Sequence, residues 1–204
     1  MIIIGITGAS GSGKSFFLRE LLLQLPENDV IHLALDNYYF TRELQQKDEN
    51  GIENFDIPTA FNESKLLADI EDLKSGKTIT FETYNYNNSL INKEFKTIEP
   101  RKILIIEGIF VFNFDSILPH FSYKIYIDAP TELNLNRRLQ RDAIERGYDY
   151  DDVVYRYNNH VIPAFEKFIF PTKNIVDIIV DNSKTEYLKT DLELITNWLL
   201  NTLI

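Results

Sequence analysis

A glycine-rich octapeptide follows directly after the apolar run at residues 2–6, and it reads Gly8-Ala9-Ser10-Gly11-Ser12-Gly13-Lys14-Ser15. Its glycines allow backbone conformations that a Cβ would forbid, so successive N–H groups can point towards one anion. The apolar positions after it have helical periodicity and stop before Pro26. A strand, a glycine-rich turn and a helix in this order place phosphate at the positive end of the helix. The sequence therefore predicts a nucleoside triphosphate site at residues 8–15.

The last two residues of this loop carry specific chemistry. Lys14 supplies a positive charge for the β and γ phosphates, and the Ser15 hydroxyl is the expected Mg²⁺ ligand. We therefore expect ATP and Mg²⁺ as cofactors, although the loop itself does not distinguish ATP from GTP.

The apolar, β-branched runs of the chain recur at 2–6, 30–35, 103–107, 123–128 and 175–180. Segments with helical periodicity separate them, at about 14–25, 63–74, 131–146, 150–169 and 185–202. This alternation is typical of a parallel sheet covered on both faces. We predict an α/β fold of the P-loop NTPase type, with a five-stranded parallel sheet in the order 2-3-1-4-5 and helices on both faces.

Two segments interrupt this alternation. Residues 78–82 and 94–98 alternate with period two, which predicts a small antiparallel hairpin insertion at about 76–99. The polar run 45–50 mixes both charge signs and is typical of a mobile surface loop. Without a repeat or a linker, the chain is expected to form a single domain of ordinary size over 1–204.

Composition argues against several classes of partner. The formal net charge is −10, so no overall positive field attracts nucleic acid or anionic lipid. The chain contains no cysteine, which excludes disulfides and thiolate metal sites. No run approaches the ~18 apolar residues of a membrane span, and no leader pattern precedes the first strand. We expect a cytoplasmic protein with a small-molecule substrate, and homo-oligomerisation stays open.

Acidic residues end two of the predicted core strands. Asp36 follows the second, at the sheet edge where parallel α/β folds bind ligands, and can accept a proton from an attacking hydroxyl or hold a water on Mg²⁺. Glu107 ends the third strand and can reach the metal shell, while Gly108 is expected to let the backbone pass the nucleotide. The alternative for both carboxylates is a helix or turn cap.

Four of the eight arginines lie within ten residues, at Arg137, Arg138, Arg141 and Arg146. Such a concentration in an acidic chain favours a local anion such as a phosphate chain. Helical spacing puts the first three on adjoining parts of one face, where they can clamp a transferring phosphoryl group. We interpret 131–150 as an Arg-rich helical lid whose arginines lie at the surface until it closes. The alternative is a solvated helix face.

Aromatic and polar residues alternate at 54–58 and 84–86, within the long insertion after the second strand. Such groups suit a sugar or base pocket, and they suit core or hairpin packing equally well. The three histidines show no metal or triad spacing, so no role is assigned to them.

Taken in order, the motifs G-A-S-G-S-G-K-S, L-D-N-Y-Y, N-F-D-I-P, T-Y-N-Y, I-I-E-G-I, R-R-L-Q-R-D-A-I-E-R-G and P-A-F-E-K-F-I-F-P-T-K resemble the uridine kinase (uridine/cytidine kinase) family over residues 2–181. The resemblance implies ATP-dependent phosphorylation of a nucleoside 5′-hydroxyl, with Asp36 as the base. It also implies that Asp56 bonds the ribose hydroxyls, that Tyr39 and Tyr84 line the nucleoside pocket, and that Arg138, Arg141 and Arg146 close from the lid.

The departures from the family pattern concentrate where the base would be read. Ile57 replaces a histidine, Ser89 aligns with the hairpin histidine, and Ile91 replaces the nearby arginine. Tyr148 takes the place of a lid arginine, and Arg156 that of a glutamine. A site built on hydrogen bonds discriminates strongly between substrates. Losing its donors and acceptors should therefore change which substrate the site accepts, rather than only weaken the binding of the original one.

The sequence leads to three hypotheses about function. Uridine or cytidine is the favoured acceptor, though used poorly compared with typical members of the family. Another hydroxyl compound, on the same fold, is the first alternative. The second alternative is a protein of another class: either a nucleotide sensor, which the Asp36 base and the arginine lid disfavour, or a binding-only degenerate kinase, which Ser89, Ile91 and Tyr148 leave open.

Overall fold

The computed structural model describes residues 1–85, 94–144 and 147–203. Its strands are β1 (Ile2–Gly8), β2 (Val30–Ala34), β3 (Ile79–Glu82), β4 (Phe95–Ile98), β5 (Ile103–Glu107), β6 (Tyr123–Asp128) and β7 (Ile178–Asp181). Its α-helices are α1 (Lys14–Leu22), α2 (Glu63–Lys74), α3 (Thr131–Ile144), α4 (Tyr150–Arg156), α5 (Ile162–Ala164) and α6 (Thr185–Leu203). Two π segments flank α5, at Tyr157–Val161 and Phe165–Ile169. Short 3₁₀ turns lie at Glu27–Asp29, Leu35–Tyr38, Arg42–Leu44, Pro58–Ala60, Leu118–His120 and Phe170–Asn174.

Five of these strands form one parallel sheet in the order β2-β5-β1-β6-β7. Counted among the core strands alone, this is the predicted order 2-3-1-4-5, so the α/β prediction is confirmed. The two remaining strands, β3 and β4, pair antiparallel and form the predicted hairpin.

Both faces of the sheet are buried, which explains why the core strands are continuously apolar. Along β5, Ile103 and Ile105 pack into the core under α1 and α6, whereas Leu104 and Ile106 pack into the core under α2. All four are fully buried. A strand with both faces covered has no position for a polar side chain, and the alternation that marks a half-exposed strand disappears.

The sheet order brings three strand ends together. The carboxyl end of β5 lies between those of β2 and β1, with Glu107 level with Ala34 on one side and Ile6 on the other. The residues that follow β2, the end of β5 and the loop that follows β1 therefore meet at one edge of the sheet. This edge is where parallel α/β sheets bind their ligands.

Segment 45–50, predicted as a mobile surface loop, forms a hydrogen-bonded turn. The chain turns back on itself between Lys47 and Glu53, which form an antiparallel bridge. The Asp48 N–H donates to the carbonyl of Ile52 at 2.9 Å, and the side chain of Gln45 is buried. Charge composition does not indicate this turn, because its hydrogen bonds are made by backbone groups, by the buried amide of Gln45 and by the carboxylate of Asp48.

Candidate active site

The glycine-rich loop at residues 8–15, called the phosphate loop from here on, has the backbone geometry expected from its glycines. Gly11 and Gly13 have φ angles of 84° and 92°, in the region that a side chain disfavours. A Cβ at Gly13 would also collide with the Asn182 amide, which donates to the Ser12 carbonyl at 2.7 Å. The turn after β7 thus supports the loop from behind, a contact that no sequence pattern indicates.

The side chain of Lys14 curls back over the loop and is buried. Its ammonium donates to the carbonyls of Gly8 at 3.1 Å and Ala9 at 3.0 Å. Burial lowers the pKa of Lys14, and the nearby carboxylates of Glu107 and Asp36 oppose that shift. A charge held this way is already desolvated, and Lys14 lines the cavity above the loop.

Glu107 and Ser15 form a pair beside this lysine. The Ser15 hydroxyl donates to Glu107 Oε1 at 3.3 Å, whereas the buried Oε2 has no hydrogen-bond partner within the described part of the chain. Burial raises the pKa of Glu107, and the charge of Lys14 counteracts the rise. A buried carboxylate oxygen without a donor is expensive, and a cation removes that cost.

These donors fit Mg²⁺. That ion uses one or two carboxylates together with substrate phosphates, rather than an all-protein cage. Within the residues that the structure describes, no group of three or more His, Cys, Asp or Glu side chains could hold a metal. A site built from a hydroxyl, one or two carboxylates and nucleotide phosphates agrees with that finding.

One cavity of about 440 Å³ opens above the loop. It brings together most of the predicted site residues: Ser10, Lys14, Ser15, Asp36, Tyr39, Asp56, Tyr84, Glu107, Arg138, Arg141, Tyr148 and Arg156. Ser89, Ile91 and Arg146 lie outside the described residues. Residues as far apart in sequence as Ser10 and Arg156 thus meet at the edge of the sheet that the strand order defines.

The arginines of α3 divide between two sides of the loop. Arg138 donates to Ser10 Oγ at 2.9 Å and is paired with Asp56 at 3.7 Å and with Asp142 at 3.2 Å. Its side chain is only 11% exposed. The expectation that these arginines lie at the surface is therefore wrong for Arg138, whose carboxylate partners hold it inside the cavity wall.

The other two arginines differ from it and from each other. Arg141 lines the same cavity, is 32% exposed and bonds Asp142 at 2.9 Å. Arg137 instead contacts the carbonyls of Ser12 at 3.5 Å and Asn182 at 3.4 Å, behind the loop. The prediction that Arg137 joins the clamp is wrong, since one residue of helix rotates its side chain by about 100°.

The opposite wall of the cavity is aromatic. Tyr39 stacks on Phe61 with ring centroids 4.0 Å apart, and it also contacts Phe55 and Tyr84. The Tyr84 N–H donates to the Asn37 side chain at 2.9 Å, which fixes the base of the hairpin beside the residues after β2. This wall has flat apolar surfaces with the Asp56 carboxylate beside them, an arrangement suited to a ring and its hydroxyls.

Some residues of the site were not predicted from the sequence. Arg42, Asp142 and Asp152 also line the cavity. They belong to a short turn and to helices whose charges look solvated in sequence. Gly108 lines the cavity too, and a Cβ there would collide with the side chain of Leu35, so packing between β5 and the turn after β2 also requires this glycine.

Comparison with known proteins places this geometry in a family. The model of the phosphoribulokinase / uridine kinase family matches residues 3–189. The chain belongs to this family. Membership confirms the resemblance seen in the sequence motifs, and with it the class of ATP-dependent phosphotransferases.

Individual relatives cover nearly the whole chain. The uridine kinase of Staphylococcus haemolyticus is 35% identical over 190 residues, which are 93% of this chain and 92% of that protein. The uridine kinase of Staphylococcus aureus is 37% identical over 193 residues, with coverage of 93% and 92%. Among solved structures, phosphoribulokinase from Rhodobacter spheroides has a TM-score of 0.62 at 18% identity, covering 88% of this chain and 69% of that chain. This last likeness concerns the fold alone.

The described residues include no helix long and apolar enough to cross a membrane.

Proposed function

We propose that this chain transfers the γ-phosphoryl group of ATP to the 5′-hydroxyl of a nucleoside, with uridine or cytidine as the acceptor. One observation carries the proposal. A single cavity holds the phosphate-loop lysine, a carboxylate at the end of β2, a buried metal-type carboxylate on β5 and an aromatic wall with Asp56 beside it. The named uridine kinases at 35–37% identity support the same acceptor class.

Each residue has a role that follows from its surroundings. Asp36 removes the proton of the acceptor hydroxyl as its oxygen attacks the γ-phosphorus. Lys14, Arg138 and Arg141 balance the charge that spreads over the transferring oxygens and over the leaving ADP. Asp56 bonds the sugar hydroxyls, and the aromatic wall orients the ring.

Mg²⁺ fits Ser15, Glu107 and Asp36, and when bound it neutralises charge on the β and γ phosphates. The protein's part is to keep these three side chains near Lys14 so that phosphate and carboxylates do not repel each other. The Glu107 oxygen without a donor is the observation that supports this assignment.

The lid and the acceptor site are coupled in this proposal. Asp56 belongs to the acceptor wall, and it pairs with Arg138, which also bonds the phosphate loop at Ser10. An acceptor that recruits Asp56 to its hydroxyls competes with that pair and frees the guanidinium for phosphate. Binding energy from the sugar is thereby used to make the Arg138 guanidinium available to the phosphate.

A second acceptor class is favoured by two residues of the same cavity. Tyr148 and Arg156 line it where the family pattern has an arginine and a glutamine. Arg156 is held by Asp152 at 2.9 Å and by the Glu53 carbonyl at 2.8 Å. A fixed guanidinium recognises different head groups from those that an amide recognises, so another hydroxyl compound is the alternative substrate.

The test is a phosphoryl-transfer screen with MgATP against uridine, cytidine, other nucleosides, vitamins and sugar acids, comparing kcat/KM. Asp36→Asn is run beside it, with Asp72→Asn as the control, because Asp72 is an exposed carboxylate bonded to Lys77. The proposal expects nucleosides to lead and only Asp36→Asn to lose turnover. A sugar acid or vitamin as the best acceptor establishes the alternative, and ATP hydrolysis without any phosphorylated acceptor refutes both.

A further inference from the structure

A carboxylate outside the cavity ties the acceptor segment to the helix that follows the lid. Asp48 lies in the turn that leads to Asn54, Phe55 and Asp56. Its Oδ1 accepts from the N–H groups of Asn50 and Ile52, each at 2.9 Å, which closes the turn. This leaves its Oδ2 facing away from its own loop.

Two side chains of the helical segment after the lid bind that second oxygen. The Tyr155 hydroxyl donates to Asp48 Oδ2 at 2.8 Å, and His160 Nε2 lies 2.8 Å from the same atom. The side chain of Asn50 donates to the Tyr155 hydroxyl at 2.6 Å. His160 is 2% exposed, and its Nδ1 has no hydrogen-bond partner among the described residues, so Nε2 carries the proton that Asp48 accepts.

The π segment explains how residues five apart reach one oxygen. In a regular α-helix, Tyr155 and His160 would point about 140° apart. The π turn at Tyr157–Val161 has i→i+5 bonding, which brings side chains at that spacing to the same side of the helix. The two rings lie 6.0 Å apart and nearly perpendicular.

A second contact holds the same loop at Glu53, three residues before Asp56. Arg156 on α4 donates to the Glu53 carbonyl at 2.8 Å, and Asp56 itself contacts Arg138 on α3 at 3.7 Å. Segment 54–56 is thus held by contacts with both α3 and α4, and Asp48 fixes the turn that precedes it.

We propose that Asp48, Tyr155 and His160 form a clasp, a hydrogen-bonded cluster that positions segment 54–56 against α3 and α4. The clasp keeps the acceptor site in a fixed position relative to the lid. The three are positioning residues, since none of them lines the cavity. This inference rests on the proposed function, because it concerns where the acceptor is held. Opening the clasp weakens the acceptor site and leaves the ATP site unaltered.

The experiment compares Tyr155→Phe, His160→Leu and His160→Gln with the native protein. The glutamine amide keeps an N–H donor at the reach of Nε2, whereas leucine keeps only volume. Tyr123→Phe is the matched control, because Tyr123 packs on Trp198 at the amino end of β6. The readouts are KM for uridine or the best acceptor of the screen, KM for ATP, and amide hydrogen exchange over residues 46–56.

We expect Tyr155→Phe and His160→Leu to raise the acceptor KM about tenfold, as the loss of a hydrogen bond to a charged group implies. KM for ATP should stay constant, amides 46–56 should exchange faster, and His160→Gln and Tyr123→Phe should stay near native. Equal rises in both KM values, or faster exchange with an unchanged acceptor KM, overturn the positioning role. Unchanged exchange overturns the clasp itself, and so does a His160→Gln variant as impaired as His160→Leu.

The outcome separates this inference from the proposed function. A native protein that phosphorylates no acceptor refutes the proposed function, and the positioning role falls with it. An active native protein whose clasp variants fail these expectations refutes the clasp alone.

Discussion

Replacing Arg138 by methionine tests whether the arginines of α3 are part of the folded core or of a free surface. Arg138 is 11% exposed and contacts Ser10, Asp56 and Asp142. Methionine keeps most of the volume and removes the charge, so two nearly buried carboxylates lose a counter-ion. Breaking a buried pair on one side costs about 3 kcal/mol or more.

Arg141 provides the comparison, because it lines the same cavity but is 32% exposed and shares Asp142 with Arg138. Solvent screens its pair, so Arg141→Met should cost about 1 kcal/mol or less. At about 2–4 °C per kcal/mol for a chain of this size, Tm should fall by about 6–12 °C for Arg138→Met and by no more than about 4 °C for Arg141→Met. Both variants should lose turnover.

Urea unfolding and calorimetry of the two variants measure these costs, with Arg19→Met as a control on an exposed pair. Steady-state kinetics with MgATP and the best acceptor measure the loss of kcat. Equal stability losses for Arg138→Met and Arg141→Met would refute the structural argument. Native kinetics in both would refute the phosphate clamp and leave a solvated helix face.

Three further predictions concern the phosphate site and pH. Lys14→Ala should lower kcat by about 10²–10³ in a folded protein, since one preorganised charge contributes that much; near-native turnover by a variant with native circular dichroism would refute the role. Asp36→Asn should lower kcat by about 10²–10⁴ while calorimetry shows native ATP affinity; weakened ATP binding at native kcat would assign Asp36 to the nucleotide instead. Burial, with a smaller contribution from Lys96, lowers the pKa of His32 to about 4 from 6.5, so only the unfolded chain is protonated between those values. Its contribution to stability is therefore complete above pH 6.5 and is lost as pH falls towards 4, by about 3 kcal/mol at the lower limit. His32→Gln should flatten this part of the pH profile of urea unfolding, and an unchanged profile would contradict the shift.

The sheet and the phosphate loop could be predicted because local patterns determine them. The run before Gly8 and the glycines after it specify a strand and a turn without reference to distant residues. Asp36 and Glu107 could be placed because strand ends in a parallel sheet meet at one edge. These inferences use only chain order and residue type, which the sequence states directly.

The rest depended on contacts between distant segments. The partners of Arg138 lie at Ser10, Asp56 and Asp142, and no spacing in α3 distinguishes it from Arg137, which faces the other side. The Asp48 clasp needs a π turn, whose altered register is invisible in a helical pattern. His160 thus looked unassigned in sequence, although it is among the most deeply buried polar residues described.

The most direct test of the central claim is ³¹P NMR of the native protein with MgATP and uridine. We expect a 5′-monophosphate resonance of the nucleoside that grows in step with ADP, one for one, and that disappears with Asp36→Asn. ADP with inorganic phosphate in place of a phosphorylated nucleoside, for uridine and cytidine alike, would contradict phosphoryl transfer to a nucleoside.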